Sequence, residues 1–280
     1  MMMMEEENRG HGKKNPSIWE VLVVGAHHTI GTGTAIPQQR EGRWPPPNAQ
    51  INWCEEDYQH SFYVAELFNT VTNLCYIIVG VSMLLDVYRK RASEVRNGMK
   101  GKEKPPIFEP PPTTHDLVCV CTILTGVFSG IFHATLQFQY QRLDEIFENG
   151  ILIFMLHSKR PPIIGVLHFI LASIGIVFIT SYLFCEIHLI TMIILTIVHY
   201  SKSCKGNREA STYISKSALY AVIGAICWLV DRVMCGFINS LLPFNPQLHS
   251  FWHIFTAIAI YYGYFAMATL QTFGVNLKKK

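Results

Sequence analysis

The sequence predicts an all-α membrane protein: a seven-transmembrane-helix bundle, N-terminus lumenal or extracellular, C-terminus cytosolic. Three observations predict it. Seven apolar runs, at residues 61–86, 115–136, 143–158, 163–183, 185–200, 214–236 and 249–272, mostly approach the length of a bilayer-spanning helix, about 20 residues. Charged residues make up only 15% of the 280-residue chain, against roughly 25% in ordinary soluble domains. Lysine and arginine, finally, fall almost entirely into alternate loops.

Taken in order, residues 1–50 read as a disordered extension. Met1 to Met4 lead into Glu5, Glu6 and Glu7, and polar, Gly and Pro clusters continue to Pro45-Pro46-Pro47. The apolar piece Trp19–Ala26 is too short to span a bilayer, and its acidic approach is wrong for a secretory signal. The pair His27-His28 reads as solvated. Residues 51–274 form the membrane domain, with loops punctuated by Pro105 to Pro112, Pro161-Pro162, Pro243 and Pro246. Residues 275–280 are a basic cytosolic tail. No internal repeat is visible.

The orientation comes from the loops. Those after the first, third and fifth runs and the C-terminal tail, with Lys216 close by, hold sixteen Lys and Arg, while the opposite loops hold only Arg142. An excess of positive charge marks the cytosolic side. Eight cysteines do not make a dense disulfide framework, and Cys119-Val-Cys121, inside an apolar run, reads as buried thiols rather than a metal or redox pair. Nothing in the chain implies a nucleic-acid or protein partner; the implied surroundings are the lipid bilayer.

The chemistry is concentrated near the C-terminus, at His249-Ser-Phe-Trp-His253. Two histidines four apart share one helix face. Ionisable side chains inside membrane helices mark functional sites, but two imidazoles are an incomplete zinc site. Ser129-Gly-Ile-Phe-His133 offers a third, and Asp144 heads the next run. The topology brings His133, Asp144, His249 and His253 to the lumenal ends of three helices. Three imidazoles with an open fourth position form the ligand set of a catalytic zinc, which acidifies water and polarises a carbonyl. Asp144 is placed to orient and deprotonate that water, and Ser129 to offer its hydroxyl to an oxyanion. Taken singly, Ser129 is equally a packing residue or a helix back-bonder and Asp144 a helix-start acid. Together they predict hydrolysis of an amide or ester presented from the membrane. A second cluster, Asn52-Trp53-Cys54-Glu55-Glu56-Asp57 with Glu66, supplies hard oxygen ligands of the kind calcium takes, although acidic residues near helix starts are common without a metal.

Trp53-Cys-Glu-Glu-Asp-Tyr58, Tyr63-Val-Ala-Glu66 and Asn69-Thr70 closely resemble the opening of the alkaline ceramidases. Ser129 to Leu136, Leu143-Asp-Glu145, Trp228 to Cys235 around Asp231, and His249 to His253 follow in that family's order. The resemblance runs from about Asn52 to the C-terminus. It implies a seven-helix intramembrane amidase that cleaves ceramide to sphingosine and a fatty acid. It further implies zinc on His133, His249 and His253, with Ser129 and Asp144 beside the metal. Calcium is implied on Asn52, Trp53 (through its backbone carbonyl), Glu55, Asp57 and Glu66. The family usually has Asp where this chain has Asn52 and Asn where it has Asp57, an exchange that leaves the total ligand charge unchanged. The resemblance also suggests a Cys54–Cys235 disulfide, on the lumenal side where oxidation is allowed. The expected location is a multi-pass membrane protein of the endoplasmic reticulum or Golgi, with the plasma membrane as the alternative and the active site facing the lumenal or extracellular side. Two other readings compete. A progestin/adipoQ-receptor-like protein places three histidines on zinc in seven helices, but with the opposite orientation and without the Trp-Cys-Glu-Glu opening. A non-enzymatic seven-helix receptor or transporter would not need Ser129, Asp144 and the metal ligands to converge.

Overall fold

The structure, a computed structural model, describes residues 40–100, 113–179 and 181–278. Among these residues the chain is all-helical. A short helix α1 (Leu67–Thr72) leads into seven long ones: α2 (Leu74–Lys100), α3 (Thr114–Thr135), α4 (Phe138–Leu156), α5 (Pro162–Phe178), α6 (Tyr182–Ser203), α7 (Arg208–Leu241) and α8 (Leu248–Lys278). Five spans, Leu67–Ser93 and those of α3, α6, α7 and α8, are long and apolar enough to cross a membrane. Helix α5 is apolar but shorter. Helix α4 carries Arg142, Asp144, Glu145 and Glu148, and that polarity keeps it out of the apolar set.

Several helices outrun the apolar runs that predict them. Helix α2 continues from the apolar stretch through Arg89-Lys90-Arg91 to Lys100, because Ala, Glu, Arg, Lys and Met are good helix formers wherever the surroundings turn aqueous. Helix α7 begins before its run and ends after it, capped by the Asn207 side chain, which accepts from Ala210 N at 3.0 Å. Helix α3 opens on a capping box between Thr113 and Asp116, with Arg91 of α2 paired to the same carboxylate. It closes on Leu136 in the left-handed conformation (φ 52°).

The predicted extension over residues 1–50 lies outside the described residues as far as Gln39, the pair His27-His28 included. Its last part is tied to the bundle. Arg43 N donates to Phe62 O at 2.8 Å, and Asn48 N and Ala49 N both reach the Leu136 carbonyl at 3.1 Å. The Gln137 amide donates to the Pro45 and Pro46 carbonyls. A proline-rich run can be ordered in this way because its free carbonyls are taken up by a neighbouring turn rather than by a ladder of its own. At the other end, α8 runs on into the predicted tail as far as Lys278.

The outer surface is apolar, and the interior combines an apolar core with buried polar groups. Large apolar side chains such as Ile78, Leu85, Leu171, Ile187, Leu219 and Val233 face outward, whereas Asn69, Asn73, Thr122, Thr125, Asn149 and Asp231 are buried. Hydrocarbon tolerates the first set and penalises unpaired polar groups, so most of the second find partners within the bundle, Thr125 being an exception. Helices α7 and α8 pack closely, as do α3 with α4 and α2 with α3. The α2–α3 crossing is close because Gly126 lacks a side chain: a Cβ there would lie 2.9 Å from Asn73 O. Cys119 and Cys121 are buried free thiols, as predicted.

Candidate metal centre

His133 sits in the last turn of α3 and His249 and His253 in the first turns of α8, so the three imidazoles meet at one end of the bundle. One ligand atom from each lies within 4.8 Å of the others, and the ring centroids are 4.6–5.0 Å apart. All three side chains are buried. Among the described residues no other group of three His, Cys, Asp or Glu side chains gathers this closely.

Neighbouring groups fix which ring nitrogen is free. Glu66 Oε2 contacts His133 Nδ1. With the carboxylate as acceptor, Nδ1 carries the hydrogen and Nε2 keeps its lone pair. That Nε2 is buried without a hydrogen-bond partner. Thr72 Oγ1 lies 3.0 Å from His253 Nδ1 and directs its own hydrogen to Phe68 O at 2.8 Å. It therefore accepts from Nδ1–H and leaves His253 Nε2 free in the same way. His249 stacks on Trp53 at 3.6 Å between centroids, and its Nδ1 has no partner. Orphaned buried imidazole nitrogens in a cluster of three, two of them oriented by an outer oxygen, are the donor set that zinc prefers.

Ser129 and Asp144 lie beside this cluster. Asp144, nearly two turns into α4, lines the same cavity as the three histidines. Ser129, one turn before His133, is a close polar neighbour of the Asp144 carboxyl group, whose Oδ1 is buried without a partner.

The acidic segment before α1 is organised in two parts. Glu55 accepts from Phe68 N at 2.8 Å and Asn69 N at 2.9 Å, capping α1, whose own N-cap residue Glu66 makes no cap bond. Asn52 donates to Asp57 Oδ2 at 3.2 Å, while Asp57 Oδ1 is buried without a partner. Glu66 accepts from Trp53 N and Asn69 Nδ2 at 3.2 and 3.1 Å. Burial, and then the nearby Glu66 carboxylate, push Asp57 up to about 6. Burial pushes Glu66 up to about 8. Glu55 is raised by burial as well.

Cys54 and Cys235 are joined by a disulfide with Cα atoms 5.4 Å apart. The Cys54 amide donates to Asp231 Oδ2 at 3.0 Å, and Asp231 Oδ1 accepts from His249 N at 3.3 Å. Asp231 therefore ties the acidic segment to the first turn of α8. Sequence reasoning assigned no part to Asp231, Thr72, Asn69 or Glu148, and placed Glu66 with calcium alone. Asn69 and Asp231 were visible as parts of the family resemblance, while the signal for Thr72 and Glu148 was a polar residue inside an apolar run.

Comparison with known proteins agrees with this arrangement. The sequence model of the Ceramidase family matches residues 45–280. Human alkaline ceramidase 1 is 28% identical over 244 residues, covering 80% of this chain and 83% of its own. The alkaline ceramidase of Arabidopsis thaliana is 25% identical over 233 residues, covering 78% and 82%. The Saccharomyces cerevisiae alkaline ceramidase is 24% identical over 274 residues, covering 84% and 81%. With one match running over the whole helical bundle and the histidine triad inside it, the chain belongs to the ceramidase family.

Proposed function

We propose that the protein is a zinc-dependent intramembrane amidase that hydrolyses the N-acyl bond of ceramide to sphingosine and a free fatty acid. The observation that carries the reading is the buried triad His133–His249–His253 with Asp144 in the same cavity. The family and its relatives supply the substrate class.

His133, His249 and His253 would hold the ion, which supplies a Lewis acid and lowers the pKa of water. Asp144 accepts a proton from the attacking water and returns it to the departing amine nitrogen, since an amide nitrogen leaves only when protonated. The Ser129 hydroxyl, beside Asp144, donates to the charge developing on the carbonyl oxygen. Glu66 and Thr72 keep two imidazoles in the tautomer that ligates. The segment from Asn52 to Glu66 takes calcium, chiefly through Asp57 and Glu66, and Glu55 contributes by ordering α1. The chain spans the bilayer seven times with the site on the lumenal side, in endoplasmic reticulum or Golgi. The sixteen-to-one distribution of basic residues supports this orientation.

The test is hydrolysis of a ceramide panel by purified protein, with zinc counted per chain. About one zinc per chain is expected, and His253→Ala should lose metal and activity together while still inserting in membranes. Full activity in a metal-free His253→Ala protein would refute the site.

A further inference from the structure

Beneath the metal centre the bundle holds a second cavity, walled mainly by apolar side chains of α4, α6, α7 and α8. Among the described residues that line it, Glu148 alone is charged, and Glu148 also lines the cavity of the histidine triad. It therefore stands where the polar chamber opens into the apolar one. A carboxyl group in such a wall is costly unless something pairs with it.

The register of α3 and α4 shows what faces it. These helices are antiparallel neighbours joined through Leu136-Gln137, and Ser129 of one neighbours Asp144 of the other. One turn deeper on each helix stand Thr125 and Glu148, a second rung on the same faces. At a rise of 1.5 Å per residue that rung lies about 6 Å below the first. Thr125 is fully buried, lines the apolar cavity, and its Oγ1 has no hydrogen-bond partner. Of the other hydroxyls lining the cavity, Thr196 Oγ1 on α6 is also without a partner, whereas the rest are spent within the protein, Ser217 donating to Ala259 O at 2.8 Å. Thr256 donates to Trp252 O at 2.6 Å, and Tyr76 donates to Thr256 Oγ1 at 2.5 Å. The second rung thus offers one unpaired hydroxyl and one carboxyl group side by side at the mouth of a mainly apolar chamber.

We propose that Thr125 and Glu148 form a hydroxyl-recognising rung that makes this protein selective for ceramides bearing an additional hydroxyl close to the amide on the chain that enters the cavity. The ligand O–H donates to the Glu148 carboxylate, and its oxygen accepts from Thr125 Oγ1–H. An unhydroxylated chain leaves both groups desolvated and unpaired. A pocket built for a hydroxyl rejects the analogue lacking one far more strongly than an apolar pocket rejects an extra methylene. The hydroxyl can come from a 2-hydroxyacyl chain or from a 4-hydroxylated sphingoid base. The inference rests on the ceramidase reading above.

The experiment compares kcat/KM of the zinc-loaded protein on three ceramides of equal chain length: unhydroxylated, 2-hydroxyacyl, and 4-hydroxysphinganine-based. The parent should prefer one hydroxylated substrate by roughly tenfold or more, and which one identifies the chain in the cavity. Glu148→Leu and Thr125→Val should each reduce that preference to within about threefold, with zinc content kept and turnover of the unhydroxylated substrate raised in Glu148→Leu. The isosteric Thr125→Val and the parent's own selectivity decide the matter if Glu148→Leu does not fold. Equal turnover of all three by the parent, or an undiminished preference in the folded variants, overturns the rung and leaves the ceramidase reading standing. No turnover of any ceramide by the zinc-loaded parent overturns that reading and the rung with it.

Discussion

Glu66 Oε2 meets His133 Nδ1 across 67 residues of sequence, both side chains wholly buried. One carboxylate thereby serves two centres, orienting a metal-binding imidazole on one side and facing Asp57 on the other. A partner of this kind raises the basicity of the imidazole and fixes its tautomer. Glu66→Gln, which keeps size but weakens the acceptor, should lower zinc affinity by roughly 10–100-fold. Competition with a chelator of known affinity measures it, and an unchanged affinity would show that the contact is structural only.

Asp144→Asn retains shape and the Ser129 contact but cannot accept a proton. Its kcat should fall by about 10²-fold or more with zinc still bound. Ser129→Ala removes a donor to the carbonyl oxygen, at a cost on the order of 10² in kcat. If both variants bind zinc and turn over ceramide near the parental rate, these residues only pack and cap.

Asp57 predicts a pH dependence. Its carboxyl titrates near 6 in the folded chain, against an ordinary value of about 4 in the unfolded one. The folded state holds the proton more tightly, so this group favours folding at acid pH. Its contribution is lost as pH rises through that interval. In chelated protein, melting of the parent should fall relative to Asp57→Asn between about pH 4 and 6. A cation replaces the proton, so calcium should raise melting most above that interval, and Asp57→Asn should blunt the rise. Calcium that moves neither melting nor turnover at neutral pH would reduce the cluster to helix-start chemistry.

The Cys54–Cys235 bridge closes a long loop, and Cys54 N bonds Asp231, which bonds the first turn of α8. Cys235→Ser should cost about 2–4 kcal/mol of stability and speed zinc release, because the acidic segment and His249 share Asp231. Peptide mapping under non-reducing conditions should find the pair joined in protein from an oxidising compartment. Two free thiols there would refute it.

The sequence by itself determined the helical class and the limits of the apolar stretches, because hydrocarbon burial is written locally in runs and periods of side chains. It also determined which histidines form the cluster: the four-residue spacing of His249 and His253 fixes one face of one helix, and alternation across the bilayer brings His133 to the same end. What only the tertiary structure decided is every contact between distant segments. These include Glu66 on His133, Thr72 on His253, Trp53 stacked on His249, and Asp231 joining Cys54 to α8. The same holds for the ordering of residues 40–50 against Leu136 and Gln137, where composition alone indicated an extension. Hydrogen bonds between residues 67 or 181 positions apart depend on how helices rotate and settle against one another. That settling is a sum of many small packing energies, with no short-range pattern in the chain to announce it.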